Sequence, residues 1–183
     1  MLTAAGVPFR VSAADLNETA LIADLRGNNA GAAQIAAALA EQKAVMVSRR
    51  SPGDLVLGAD SVLAFGPEII SKCRDVVELR ALLERLSGKT HRLISAAALA
   101  RDGVPVWHAA GIATLSMRPL SAAFLDDYVA SEGEAVLSSV GGYHYEGRGA
   151  QLFDQVEGDA FTILGLPLLP VLAALRLQGI LGA

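Results

Sequence analysis

The sequence predicts an α/β fold, and three observations carry the prediction. Ala30 to Val47 is alanine-rich and sets Ile35, Leu39 and Val45 at helical spacing. Leu55 to Ala59 is a short apolar run suited to a buried strand. Two further strand-like runs, His91 to Ala100 and Val104 to Met117, flank Asp102-Gly103, a hairpin signal. Strands and helices interspersed along one chain imply an α/β architecture. The chain has 183 residues, 52% of them apolar and 19% charged, which suits one folded domain over residues 1–183 and excludes a disordered chain.

Taken in order, Leu2 to Ala5 reads as the tail of a helix that Gly6 ends. Val7 to Ala13 alternates in character and is expected to be a strand. Asp15 to Asn29 is polar, finishes in Gly27-Asn28-Asn29 and is expected to be a loop. The long helix over Ala30 to Val47 follows, then a turn at Ser51-Pro52-Gly53 and the strand that ends at Asp60. Ser61 to Phe65 either continues that strand or pairs back through Gly66-Pro67. Asp75 with Glu78 three residues on is the pattern of a capping box, opening a helix to Leu86 that stops at Ser87-Gly88. After the hairpin, Ser121 caps a helix through Ala130, Gly141 to Gly149 forms a glycine-rich loop, and Ala150 to Val156 is a strand. A closing helix spans Gly165 to Leu177, with Pro167 in its tolerant first turn.

Composition narrows the function. A net charge of −4 is poor for gripping nucleic-acid polymers, where basic residues displace counterions. The single cysteine, Cys73, excludes an internal disulfide and a cysteine-cluster zinc site. His91, His108 and His144 show no metal-ligand spacing. Met1 is followed by no basic segment, so no secretory signal is expected. The most apolar stretch, Phe161 to Leu177, is broken by Gly165, Pro167 and Pro170, so no membrane span is expected, and a cytosolic protein is.

Several positions could carry chemistry. Asp60 follows Gly58 and Ala59 at the expected end of an apolar strand, where open sheets present ligand-binding groups; a turn-capping aspartate has the same signature. Lys43 and Lys72 could each reach a phosphate as point charges, or be ordinary solvated lysines. The Gly141–Gly149 loop lets backbone approach a ligand, its aromatics could stack on a base, and Glu146 could accept hydrogen bonds from a purine edge. It could equally be a surface loop. Glu18 alone is indistinguishable from a surface acid. Ser87-Gly88-Lys89-Thr90 is not a phosphate-binding P-loop, because Leu83 stands where that motif needs glycine.

Together these segments resemble the Maf family. The matching stretches, in family order, are Ala-Gly-Val-Pro-Phe (5–9), Asn-Glu-Thr (17–19), Ala-Glu-Gln-Lys-Ala (40–44) and Gly-Ala-Asp-Ser-Val (58–62). Leu-Ser-Gly-Lys-Thr-His (86–91), Gly-Gly-Tyr-His-Tyr-Glu-Gly (141–147), Val-Glu-Gly-Asp (156–159) and Ile-Leu-Gly-Leu-Pro-Leu (163–168) complete them. The resemblance implies a mixed sheet flanked by helices, with a cleft between two lobes as in inosine-triphosphate pyrophosphatases. It implies a house-cleaning nucleoside triphosphate pyrophosphatase that cuts between the α- and β-phosphates with a divalent metal, Mg²⁺ or Mn²⁺, and a cytoplasmic homodimer.

Carried over residue by residue, Asp60 is expected to be the catalytic acid, acting as general base or in metal-linked water activation. Glu18 is a metal ligand alongside Asp60, and Lys43 and Lys72 contact phosphates. Glu146, in Tyr-Glu-Gly, resembles the branch associated with 7-methyl-GTP more than the branch for dTTP and UTP, whose loop reads Gly-Ile-Gln-Gly. His91 belongs to a family motif and reads as structural. Cys73 replaces a usual proline. The family's opening strand and its S-x-S-x-R phosphate signature are expected to be missing before Met1, through a start placed too far downstream or a truncation, leaving a sheet edge unpaired. The other readings are a dTTP/UTP pyrophosphatase, a catalytically impaired interaction protein linked to cell division, and a nucleotide-binding sensor.

Overall fold

A computed structural model describes residues 1–182. Its centre is a five-stranded sheet in the order β2-β1-β3-β4-β5. The strands are β1 (Val56–Phe65), β2 (Glu68–Ile70), β3 (Thr90–Arg101), β4 (Val104–Met117) and β5 (Phe153–Glu157). The helices are α1 (Glu18–Gly27), α2 (Ala32–Arg49), α3 (Val76–Leu86), α4 (Ala122–Val136), α5 (Ala160–Ile163) and α6 (Leu168–Leu177). The α/β class holds. The sheet expected to be mixed is instead antiparallel at each of its four junctions. The reason lies in the connections. β2 and α3 both pack at the end of the sheet where β1 finishes, so β3 starts there and runs back. β3 and β4 then turn tightly through Asp102 (φ 52°) and Gly103 (φ 81°), the left-handed pair a two-residue hairpin requires.

β3 is the central strand and is buried on both faces. Ile94, Ala96, Ala98 and Ala100 face α2, while Ala97 and Leu99 face α6 on the opposite side. Leu93 packs with Leu79, Leu83 and Leu86 of α3 and Leu125 and Tyr128 of α4. One face of α2 is a row of small residues, Ala36, Ala40 and Ala44, one helical turn apart and fully buried. Gly58 of β1 meets this row. A Cβ on Gly58 would stand 2.2 Å from the Ala40 carbonyl oxygen and 2.7 Å from the Ala44 nitrogen. Helix and strand backbones therefore touch, and no side chain fits between them.

Several elements differ from the sequence-based expectation. Val7 to Ala13 is extended but pairs with no strand, and after Val7 its side chains are exposed. Side-chain contacts hold it instead, with Arg10 on Asp54 and Arg50 on Asp15 and the Ala13 carbonyl. Asp15 to Asn29 is not a loop, because Asn17 caps α1 by accepting a hydrogen bond from the Ala20 amide at 3.0 Å. Leu21, Ile22 and Leu25 rest partly buried against the α2 core. β1 runs unbroken through Asp60 to Phe65, so Asp60 lies mid-strand rather than at a strand end, and β2 pairs back on Leu63–Phe65. α4 continues past Ala130 to Val136. A short 3₁₀ turn, Arg148–Leu152, occupies the expected start of the strand at Ala150. The closing helix starts at Leu168, since Gly165 (φ 100°) breaks the backbone after the short α5. No helix among the described residues is long and apolar enough to cross a membrane.

Because backbone atoms rather than flexible tips meet Gly58, Gly58→Ala is expected to lower the unfolding free energy by roughly 1–3 kcal/mol, the usual range for overpacking. Urea denaturation measures this, and parental stability would show that α2 and β1 do not approach so closely.

Candidate active site

A cleft of about 600 Å³ opens beside the middle of β1. Asp60 and Ser61 form its floor, Glu18 and Thr19 one wall, and Lys72 the mouth of a second wall just after β2. The segment Ser138–Gly141 and the aromatics Tyr143, His144 and Tyr145, with Glu146, close the far side. Four of the five residues singled out in the sequence thus line one cavity. The fifth, Lys43, reaches over from α2 and binds two of the three acids, Asp60 and Glu18, directly. Its Nζ lies 2.5 Å from Asp60 Oδ1 and 2.7 Å from Glu18 Oε1.

This geometry follows from local rules. Side chains alternate along a strand, so Gly58, Asp60 and Val62 all face α2. Gly58 brings α2 into contact, and Lys43 then stands over Asp60. Glu18 is the first residue of α1, where its negative charge suits the helix N-terminus.

The electrostatics are those of a half-buried triad. Burial raises the pKa of Asp60, the Lys43 hydrogen bond and charge pull it down, and burial prevails, so it stays raised. Burial works to lower the pKa of Lys43, but its hydrogen bonds to Asp60 and Glu18 and their charges outweigh this and leave it raised. A carboxylate displaced upward is suited to taking a proton. Lys72 makes no ion pair among the described residues, and its charge acts on Asp60 from a distance. Glu146 is exposed at the rim, likewise without an ion pair.

Some cleft residues were not anticipated. Ser61 lies on the face of β1 opposite Asp60 and pairs with Ser95, Oγ to Oγ at 2.7 Å. Ser95 spends its proton on the Thr162 carbonyl at 2.7 Å, so Ser61 is the donor of the pair. The strand alternation would have revealed Ser61, had β1 been read through to Phe65. Tyr143 is buried under the far wall, with its hydroxyl 2.8 Å from His91 Nε2. No local pattern in the sequence links these two residues.

Two oxygen-bearing side chains, Glu18 and Asp60, converge on one cation, the Lys43 ammonium. Hard oxygen donors in small number fit Mg²⁺ or Mn²⁺, which keep several waters and take further oxygens from phosphates. Among the described residues no group of three or more His, Cys, Asp or Glu gathers as a denser metal cage.

The family model described as Maf-like protein matches residues 1–178. A 7-methyl-GTP pyrophosphatase of Brucella abortus is 47% identical over 176 residues, covering 96% of this chain and 88% of the relative. A nucleoside triphosphate pyrophosphatase of Sphingopyxis alaskensis is 48% identical over 181 residues, covering 98% and 91%. One of that name from Caulobacter vibrioides is 49% identical over 181 residues, covering 99% and 90%. The chain belongs to the Maf family.

Removing the Lys43 charge strands Asp60. Lys43→Met is expected to cost about 1–3 kcal/mol at pH 7, the range for a buried polar group left unpaired. The sign follows from the raised folded-state pKa, which climbs further without the lysine. The penalty is full above that pKa and fades as pH falls through it and Asp60 takes up a proton. Denaturation of both proteins across pH 4.5 to 7.5 measures the difference, and a pH-independent gap would exclude Asp60 as its source.

Proposed function

We propose that the chain is a nucleoside triphosphate pyrophosphatase that hydrolyses a nucleotide between its α- and β-phosphates, with 7-methyl-GTP the favoured substrate. The observation that carries this reading is the convergence of Glu18, Lys43, Asp60, Lys72 and Glu146 on one cleft. The names of the relatives support it.

In this reading a water oxygen attacks the α-phosphorus and the bond to the bridging oxygen breaks. Pyrophosphate leaves, and a nucleoside monophosphate remains. Asp60 orients the water and takes its proton, the task its raised pKa suits. Glu18 and Asp60 together would hold a divalent cation, which supplies positive charge to the phosphate oxygens. Lys72, at the cleft wall and in no ion pair among the described residues, meets the phosphates as a point charge. Lys43 keeps Asp60 ionised and aligned, and it trades its Glu18 contact for a phosphate oxygen as the triphosphate enters. The wall from Ser138 to Glu146 borders the base. Tyr145 offers a ring face, and Glu146 a carboxylate that complements both the positive charge of a 7-methylated guanine and its N–H edge. A cytoplasmic homodimer accompanies this reading through the family resemblance alone.

Pyrophosphate release with Mg²⁺ or Mn²⁺ is the test, over a panel of 7-methyl-GTP, dTTP, UTP, ITP and the common triphosphates. Highest kcat/KM on 7-methyl-GTP is expected, and dTTP or UTP at the top would assign the other branch. Asp60→Asn should lower kcat by about 10²–10⁴, the range for losing a general base, with nucleotide affinity little changed. Turnover near the parent's would remove Asp60 from the chemistry. Glu146→Gln should reorder the nucleotides more than it slows the best one, and an unchanged order would remove Glu146 from selection.

A further inference from the structure

The far wall of the cleft is a loop, yet it is pinned from beneath. His91 stands on β3 and is 1% exposed. Its Nε2 shares a hydrogen bond with the Tyr143 hydroxyl at 2.8 Å, and its Nδ1 is buried with no partner among the described residues. Phe153 packs against both rings, meeting Tyr143 edge-on at 4.9 Å between centroids, and Tyr145 joins the same cluster. From α4, the Tyr128 hydroxyl reaches the Gly142 carbonyl at 3.3 Å. Behind Tyr143 the loop closes on itself, because a Cβ on Gly149 would lie 2.4 Å from the His144 carbonyl oxygen. Burial pushes the His91 pKa down to about 4 and pushes the Tyr143 phenol well above its ordinary range. Both groups are therefore neutral at physiological pH, and their bond does not titrate away there.

The nucleotide chemistry ascribed to the cleft uses neither group. The imidazole does not line the cavity, and the phenol hydroxyl, under the cavity's far side, is engaged by the imidazole. A buried polar pair costs desolvation and is retained where it fixes one arrangement. What it fixes here is the backbone from Gly141 to Glu146, with Tyr145 and Glu146 two and three residues beyond the pin.

The geometry points to His91 and Tyr143 as positioning residues for nucleotide selection: their mutual hydrogen bond ties the base-facing loop to the central strand β3. The inference rests on the reading of the cleft as a nucleotide site, and it assigns selectivity to two residues that act through the loop they anchor. Because the loop contacts the base and not the scissile phosphate, the pin acts on KM and on substrate ranking rather than on kcat.

The test is the double variant His91→Leu with Tyr143→Phe. Replacing both partners by apolar groups leaves no buried hydroxyl unpaired, so the fold is kept while the pin is lost. Steady-state kinetics are expected to show KM for the best nucleotide up by about tenfold, the equivalent of one ordinary hydrogen bond. kcat should stay within about twofold, as an interaction acting through binding requires. The kcat/KM ratio between 7-methyl-GTP and dTTP should move toward one, and amide exchange should quicken over residues 138–149 with β3 unchanged. A folded double variant with parental KM, ranking and exchange overturns the proposal, as does an equal fall in kcat and kcat/KM. Parent protein that releases pyrophosphate from no nucleotide defeats the functional reading separately. The exchange of residues 138–149 then decides the pin alone, with faster exchange supporting it and unchanged exchange overturning it.

Discussion

Backbone contact between α2 and β1 is the constraint on which the site depends. Ala40 and Ala44 on the helix and Gly58 on the strand leave no side chain between the two elements. Lys43 lies between those alanines in sequence, and Asp60 lies two residues along the strand on the same face. With the spacing between elements so small, a four-carbon lysine stem meets a short aspartate directly. A larger residue at 58 would lift the helix and part the pair, whatever the identity of Lys43 or Asp60. Gly58 belongs to the site as much as the charged residues do.

The sequence-based reading was strongest where local rules and tertiary demand agree. α2, α3 with its Asp75 cap, and the β3–β4 hairpin all emerged near their observed bounds, because periodicity and turn chemistry are written into consecutive residues. It failed where a segment's state depends on a distant neighbour. Val7 to Ala13 has strand character but pairs with no strand, and Pro8 removes one donor. α1 was hidden because the polar residues around it and the closing Gly27-Asn28-Asn29 gave Asp15 to Asn29 the look of a loop. Asn17 as a cap and Leu21, Ile22 and Leu25 at helical spacing were signals passed over. Ser61 to Phe65 reads equally as continuing the strand or as pairing back through Gly66-Pro67; the strand continues, pairs with β3, and β2 then pairs back on its end.

The candidate site was legible as a set of residues but not as a geometry. The family motifs named Glu18, Lys43, Asp60, Lys72 and Glu146, and four of them line the cleft. The bridging of two acids by Lys43 was not foreseen, because it requires the α2–β1 contact and the first turn of α1 at once. Nor was the His91–Tyr143 bond, which spans 52 positions of sequence. Long-range polar contacts inside a core leave no periodic trace.

The two carboxylates that bind Lys43 are held in unlike ways. Asp60 is on a strand paired on one side along its length and covered by a helix in backbone contact. Glu18 opens a ten-residue helix with no buried residue, whose apolar side chains only rest on α2. Elements with so little burial detach locally at a small fraction of the global unfolding free energy. The pair of acids is thus half scaffold and half looser piece: α1, with no buried residue, is the element that opens most readily, while the Lys43–Asp60 pair sits on packed elements. A cleft built this way can widen along its α1 side while the floor carried by β1 keeps its shape.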